Sequence, residues 1–140
     1  MACKAAHFGD LGSVRKLQEE GLSAKACKEI GRRVEGFTVK EWDAAKRNVM
    51  FEVVLAKFTQ NKGLAELLIR TGERRIVEAS PFDYVWGAGM KEEEIRAGGE
   101  WIGCENLLGI VLERVRVELR PADDDGAASL TPAGVKFRGR

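Results

Sequence analysis

One long apolar segment in the middle of the chain limits the folds that are open to it. Between Val49 and Phe58 nearly every residue is apolar. Upstream, Thr38 is followed three residues later by Glu41, which is the spacing of a helix-capping box. A continuous helix is therefore expected to start at Thr38. Its second half should be buried on several sides, with Val53 in the core.

Shorter helices are expected before and after this long helix. They are predicted at residues 1–8, 11–20, 23–34, 64–70, 91–99 and 106–120. Ser23 is a candidate N-cap, Gly72 follows a helix end as a C′ glycine, and Asn106 is a candidate cap for the last helix. The chain is thus predominantly helical. The exception is RIVEAS, residues 75–80, whose β-branched residues predict a strand that Pro81 ends.

The segment FDYVWGAG, residues 82–89, has a composition suited to holding a ligand. The carboxylate of Asp83 can accept hydrogen bonds from ribose hydroxyls, and the indole of Trp86 can stack on a base. Glycine lets a ligand approach the backbone closely, as at Gly87. A sugar or a nucleobase would suit these groups. The same composition is also typical of a capped turn that covers a hydrophobic core, and composition alone leaves both interpretations open.

Charge and cysteine content narrow the class of protein. Among 140 residues, 23 Lys and Arg against 22 Asp and Glu give a net charge of +1, which argues against coating of a polyanion but allows a local basic pocket. Cys3, Cys27 and Cys104 are widely separated, as reduced thiols of a cytoplasmic protein would be. Because the chain has one histidine, no metal site is expected. The sequence contains no cofactor-binding fingerprint, so no cofactor is expected. No apolar run reaches the ~20 residues of a membrane span.

A change of composition at Pro121 predicts a domain boundary. Residues 121–140, PADDDGAASLTPAGVKFRGR, are small, acidic and rich in proline and glycine before a basic end. Such a segment cannot bury enough apolar surface to offset its ordering entropy. The expectation is one folded domain over residues 1–120 and a disordered tail over residues 121–140, whose deletion should leave stability and ligand binding unchanged.

Several segments together resemble the NADAR (YbiA-like) family. In chain order they are GRRVEGF, EWDAAKRNVM, AKFTQN, LLIRTG, VEASPFDYVWGAG and NLLGIVLERVR, and the similarity runs from residue 1 to about residue 120. The resemblance implies a single compact α+β domain, predominantly helical with a few short strands, that hydrolyses N-glycosidic bonds. The implied substrates are phosphoribosylated pyrimidine intermediates of riboflavin synthesis or ADP-ribose attached to guanine, which extends the partners to ADP-ribosylated nucleic acid.

The resemblance also implies catalytic residues. Lys4 falls at the lysine of a KA..F pattern, which in some members is thought to form an imine with the ribose carbon. Its apolar neighbours should lower its pKa and favour the neutral amine that attacks. Glu78 or Asp83 would handle protons and ribose hydroxyls. The alternative for Lys4 is a surface lysine whose aliphatic stem lies along apolar residues.

Four further residues are implied to bind the substrate. Trp86 would stack on the base or ribose, Gly87 would admit the ligand, and Lys57 and Asn106 would contact it. Lys57 is equally well explained as a helix-end lysine that complements the helix dipole, and Asn106 as a helix cap. Together with the catalytic residues these side chains predict one concave site, in which Glu78, Asp83 and Trp86 converge and Lys4 and Lys57 lie near the rim.

The start of the chain motivates a rival function. In the family, a strand-rich segment and a glutamate often assigned to the active site precede the position of Met1, and this sequence shows no counterpart to them. A shortened member is therefore expected to bind better than it turns over. The alternatives are a catalytically impaired domain that binds ADP-ribose or a nucleotide, and a truncated domain of low stability.

Overall fold

Seven α-helices make up all the regular secondary structure of residues 1–120, which are the residues described by the computed structural model. In chain order they are α1 (Ala2–His7), α2 (Leu11–Leu17), α3 (Ala24–Arg32), α4 (Val39–Gln60), α5 (Lys62–Arg70), α6 (Glu92–Arg96) and α7 (Leu107–Leu119). The expected tail, residues 121–140, lies outside the described residues.

The helix ends follow the capping signals of the sequence. The hydroxyl of Thr38 accepts a hydrogen bond from the backbone N–H of Glu41 at 3.4 Å, and α4 runs unbroken from there to Gln60. The hydroxyl of Ser23 caps α3 by accepting from the N–H of Ala26 at 3.2 Å. Gly72 follows the end of α5 with φ +61°, a backbone conformation that favours glycine. The predicted long helix and its shorter neighbours are confirmed.

The core lies where α4, α5 and α7 pack together. Its buried residues are Phe51, Val54, Leu68, Val111 and Val115. On the other side of α4, α1 contacts α2, α3 and the long helix itself. The described residues therefore form one domain in which α4 lies between α5 and α7 on one side and an amino-terminal group of short helices on the other.

Helix α4 is apolar on two opposite faces for this reason. Phe51, Val54 and Phe58 point to the core, whereas Val49 and Val53 fall on the opposite side at 100° per residue. Val53 is 42% exposed, so the prediction that it lies in the core is wrong. The continuous apolar run indicated two covered faces, but the second face lines a pocket instead of packing against side chains.

The predicted strand over residues 75–80 is absent, and the described part of the chain contains no strand. The segment bonds to side chains of the α7 region instead of to a neighbouring strand. The N–H of Ile76 donates to Glu113 Oε1 at 2.7 Å, and the N–H of Glu78 donates to Asn106 Oδ1 at 3.0 Å. The carbonyl of Ile76 accepts from Asn106 Nδ2 at 2.9 Å. Because these side chains satisfy the backbone, no sheet partner is needed.

The loop after this segment closes over the first turn of α7. Backbone N–H groups of residues 105–108 donate to the carbonyls of residues 84–87 at 2.9 to 3.2 Å. The first N–H groups of a helix have no acceptors inside the helix, and here the loop carbonyls serve as their acceptors. Asn106 occupies the predicted N-cap position with φ 47°, but its side chain makes no capping bond, since it holds residues 76 and 78.

Candidate functional site

A pocket of about 390 Å³ lies between α1, α3, the second apolar face of α4 and the loop that carries Trp86. Its lining residues are Met1, Cys3, Lys4, Lys28, Gly31, Arg32, Trp42, Lys46, Val49, Met50, Val53 and Trp86. The volume is in the range that holds small organic ligands. The pocket brings together two of the residues expected at the site, Lys4 and Trp86.

The amine of Lys4 is held by a hydrogen bond and by an aromatic contact. Its Nζ donates a hydrogen bond to the carbonyl of Gly31 at 2.8 Å and lies 3.9 Å from the centre of the Phe37 ring. Burial lowers the pKa of Lys4 below its ordinary value of 10.5. The expected direction of this pKa shift is confirmed. The aromatic rings of Phe37 and Trp42, which sequence proximity did not indicate, surround the amine.

Two indoles supply flat apolar surface. Trp42 comes from the first half of α4 and Trp86 from the loop, and both line the pocket. The loop is held by Asp83, whose Oδ1 accepts from the N–H of Val85 at 3.1 Å and from the N–H of Trp86 at 2.7 Å. Asp83 therefore fixes the backbone that carries the Trp86 side chain.

The polar lining of the pocket is cationic. Lys28 and Arg32 lie one turn apart on α3, and Lys46 comes from α4. Lys46 is paired with Asp43 at 3.0 Å and with Glu105 at 3.8 Å. Among residues 1–120, no carboxylate lines the pocket itself. This charge distribution suits an anionic ligand with an apolar, stackable part.

The other expected site residues do not line this pocket. The Glu78 side chain is exposed, and Asp83 acts on the backbone of the loop. Gly87 is buried, and a Cβ there would lie 3.0 Å from the carbonyl of Asp83, so its small size serves the packing of the loop. Asn106 is 2% exposed, with its amide bonded to the backbone. The expected convergence of Glu78 and Asp83 with Trp86 on one concavity is not observed.

Lys57 lines a neighbouring depression near the end of α4. That depression shares Cys3 and Val53 with the main pocket and is otherwise lined by Glu52, Ala56, Lys57, Gln60 and Asn61. Lys57 therefore lies beside the main pocket and not in it. The charged segment around α6 does not contribute to the lining of the main pocket.

Four charged or aromatic lining residues were not predicted from the sequence. Lys28 and Arg32 are spaced four apart on one short helix, as are Trp42 and Lys46 on another, so each pair shares a helix face. That spacing was the available signal. Charges on amphipathic helices usually lie on a solvated face, so this spacing alone does not indicate a pocket.

The amino-acid sequence is similar to those of several known proteins. The NADAR domain matches residues 1–120. The chain belongs to the NADAR domain family. An N-glycosidase of Acanthamoeba polyphaga mimivirus is 40% identical over 120 residues, which cover 84% of this chain and 69% of the relative. The N-glycosidase YbiA of Shigella boydii is 34% identical over 106 residues, 76% of this chain and 58% of the relative.

A chloroplastic riboflavin biosynthesis protein of Zea mays is 32% identical over 117 residues, 79% of this NADAR chain but 17% of that protein. The chain thus spans only part of each of these relatives. No helix within residues 1–120 combines the length and the apolar character that a membrane crossing requires. Cys3, Cys27 and Cys104 are all free thiols.

Proposed function

We propose that this NADAR domain is an N-glycosidase that cleaves the bond between a phosphoribosyl or ADP-ribosyl group and a nucleobase-like moiety. The observation that carries the proposal is the position of Lys4, an amine of lowered pKa that lies in a pocket with two indoles and further cations. Named N-glycosidases among its relatives, at 34 to 40% identity, support the reaction class.

In the proposed reaction Lys4 acts as the nucleophile. The neutral amine forms a bond to the anomeric carbon while the carbon–nitrogen bond to the base breaks, and the base leaves with a proton. The sugar adduct then loses a proton and opens to an imine. Water cleaves the imine, which releases the sugar and restores the amine, so the net reaction is hydrolysis. The hydrogen bond from Lys4 to Gly31 holds the nitrogen in place for the attack.

The aromatic and acidic residues receive supporting roles. Trp86 stacks on the base or ribose, and Asp83 acts as a positioning residue through the loop backbone. Glu78 lies outside the lining with an exposed side chain, and its proposed role is to exchange protons with the part of the substrate that extends beyond the pocket. Lys57 contacts the same outer part from the neighbouring depression. Gly87 and Asn106 shape the loop.

A second candidate function is a catalytically impaired ADP-ribose or nucleotide binder. It is favoured by one observation, that no carboxylate of residues 1–120 lines the pocket to manage the protons of the reaction. Under this alternative the cations and indoles bind the ligand, and Lys4 is a binding group.

A base-release assay and calorimetry on the 140-residue chain separate the two functions. The substrates are ADP-ribosyl-guanine and a phosphoribosylated pyrimidine, and ADP-ribose is the ligand for calorimetry. Lys4→Arg keeps the charge but removes the nucleophile, so turnover should fall at least about 100-fold with binding retained. Lys62→Arg, an exposed lysine outside the pocket, is the matched control and should change neither.

Each possible outcome favours the N-glycosidase, the binder or neither. Base release that survives in Lys4→Arg would remove Lys4 from the mechanism. ADP-ribose binding without base release by the unchanged chain would favour the binder. Trp86→Ala should weaken binding under both functions, and Glu78→Gln should lower turnover alone. Failure of the unchanged chain to bind any ribosyl ligand would defeat both functions.

A further inference from the structure

The pocket is lined by two cations that have no ion-pair partner among the described residues. Lys28 and Arg32 both line it from α3, and within residues 1–120 no ion pair involves either of them. Residues four apart on a helix lie on the same face, with Cβ atoms about 5 to 6 Å apart. The two side chains therefore present their charges to the same part of the pocket.

The other two lysine side chains of the pocket are already engaged. The charge of Lys46 is offset by Asp43 and Glu105, at 3.0 and 3.8 Å. Lys4 donates to the carbonyl of Gly31, and burial lowers its pKa. An amine that attacks the sugar must also be neutral, so it cannot serve as the counter-charge of the ligand. Lys28 and Arg32 are the cations left for an anionic group.

We propose that Lys28 and Arg32 form a phosphate-binding site for the 5-phosphate or diphosphate group of the ribosyl substrate. The guanidinium of Arg32 offers paired N–H donors that match two phosphate oxygens, and the ammonium of Lys28 adds a point charge one turn earlier. The identity of the sugar in this site rests on the proposed function. The contact with phosphate rests on the cations alone.

The backbone of α3 couples this site to the reacting group. Gly31 precedes Arg32 directly, and its carbonyl accepts the hydrogen bond from Lys4 Nζ at 2.8 Å. One segment of α3 therefore fixes both the nucleophile and a phosphate-binding side chain. A phosphate bound at Arg32 sets the position of the ribose relative to Lys4, so the site selects for phosphorylated sugars and orients them.

Intrinsic fluorescence provides a direct readout, because Trp42 and Trp86 both line the pocket. The full chain is titrated with ribose 5-phosphate and with ribose. The test variant is Lys28→Gln/Arg32→Gln. The matched control is Lys25→Gln/Arg33→Gln, which removes one lysine and one arginine charge from α3 and its C-cap, at positions that are also exposed but lie outside the lining.

The unchanged chain should bind ribose 5-phosphate at least tenfold more tightly than ribose. The test variant should lose that preference, with its Kd for ribose 5-phosphate raised at least tenfold and its Kd for ribose unchanged. The control should stay within about twofold, and circular dichroism should show both variants folded. The affinity for ribose 5-phosphate should also fall with added salt, less steeply in the test variant.

Titration with inorganic phosphate, pyrophosphate and ADP-ribose identifies the source of the phosphate. If pyrophosphate and ADP-ribose bind more tightly than inorganic phosphate and ribose 5-phosphate, the site is assigned to a diphosphate. If they bind equally or more weakly, it is assigned to a 5-phosphate. Equal affinity of the unchanged chain for ribose and ribose 5-phosphate overturns the proposal, as does an unchanged Kd in the test variant.

The outcome is distinguishable from that of the proposed function. A chain that releases no base but loses ribose 5-phosphate affinity in the test variant keeps the phosphate site and loses the N-glycosidase. A chain whose base release has the same KM with and without Lys28 and Arg32 keeps the N-glycosidase and loses the phosphate site.

Discussion

The side chain of Asn106 bonds to the backbone of Glu78 as a neighbouring strand would. Its Oδ1 accepts from the N–H of Glu78 at 3.0 Å, while its Nδ2 donates to the carbonyl of Ile76 at 2.9 Å. One amide thus links the start of α7 to the segment before the Trp86 loop. Because Asn106 is 2% exposed, water cannot replace these bonds easily.

Asn106→Ala should lower the free energy of unfolding by about 2 to 4 kcal/mol, since two backbone groups lose their partner and alanine fits the φ of 47° less well. Chemical denaturation measures the change. The exposed Asn48, for which no side-chain hydrogen bond is present among residues 1–120, serves as the control, and Asn48→Ala should change stability by less than about 0.5 kcal/mol. Equal effects in the two variants would contradict the structural role of Asn106.

Gly109 allows this contact to form. A Cβ at Gly109, in α7, would overlap the carbonyl oxygen of Ile76 and the side chain of Asn106. Gly109→Ala should therefore destabilise the domain by about 1 to 3 kcal/mol, although alanine favours helices. Gly63 lies in α5 with nothing within 4 Å of such a Cβ, so Gly63→Ala should stabilise by about 0.5 to 1 kcal/mol. Thermal melts of the two variants should shift in opposite directions.

Two adjacent valines of α4 lie on its two apolar faces, one at the core and one at the pocket. Val54 is 7% exposed and belongs to the core, whereas Val53 is 42% exposed at the pocket. Val54→Ala should cost about 2 kcal/mol through lost methyl burial and cavity formation, and Val53→Ala less than about 1 kcal/mol. Urea denaturation of both variants is the measurement. A larger loss in Val53→Ala would mean that the pocket face is covered.

The lowered pKa of Lys4 predicts how activity depends on pH. Base release should rise as Lys4 loses its proton, with a midpoint below the ordinary value of 10.5. Stability should rise in the same interval, because between the folded pKa and 10.5 the unfolded chain binds more protons than the folded one.

A pH–rate profile and denaturation at several pH values check both parts of this prediction. In Lys4→Met the stability gain between the folded pKa and 10.5 should disappear, since the titrating group is gone. Lys16 is exposed and lies outside the main pocket, and Lys16→Met should leave the gain intact. A rate limb centred at or above 10.5 would contradict the desolvation of Lys4.

Local signals in the sequence determined most of the helical architecture. The side chains of Thr38 and Ser23 cap helices within three residues, and Gly72 takes its positive φ immediately after α5. Such features depend on neighbours along the chain, so they can be recognised without knowledge of the fold. The motifs around Trp86 and Lys4 likewise indicated the family and two of the residues that line the pocket.

Only the tertiary structure decided what residues 75–80 became and which charges share the pocket. A strand needs a partner, and here Asn106 and Glu113, 28 to 37 residues away along the chain, satisfied the backbone of Ile76 and Glu78 instead. In the sequence, Lys28 and Arg32 resemble any solvated pair of charges. They line the pocket because α3 packs beside α1, which brings Gly31 to Lys4. Long-range packing sets these contacts, and the local pattern of a sequence does not encode the distance between such segments.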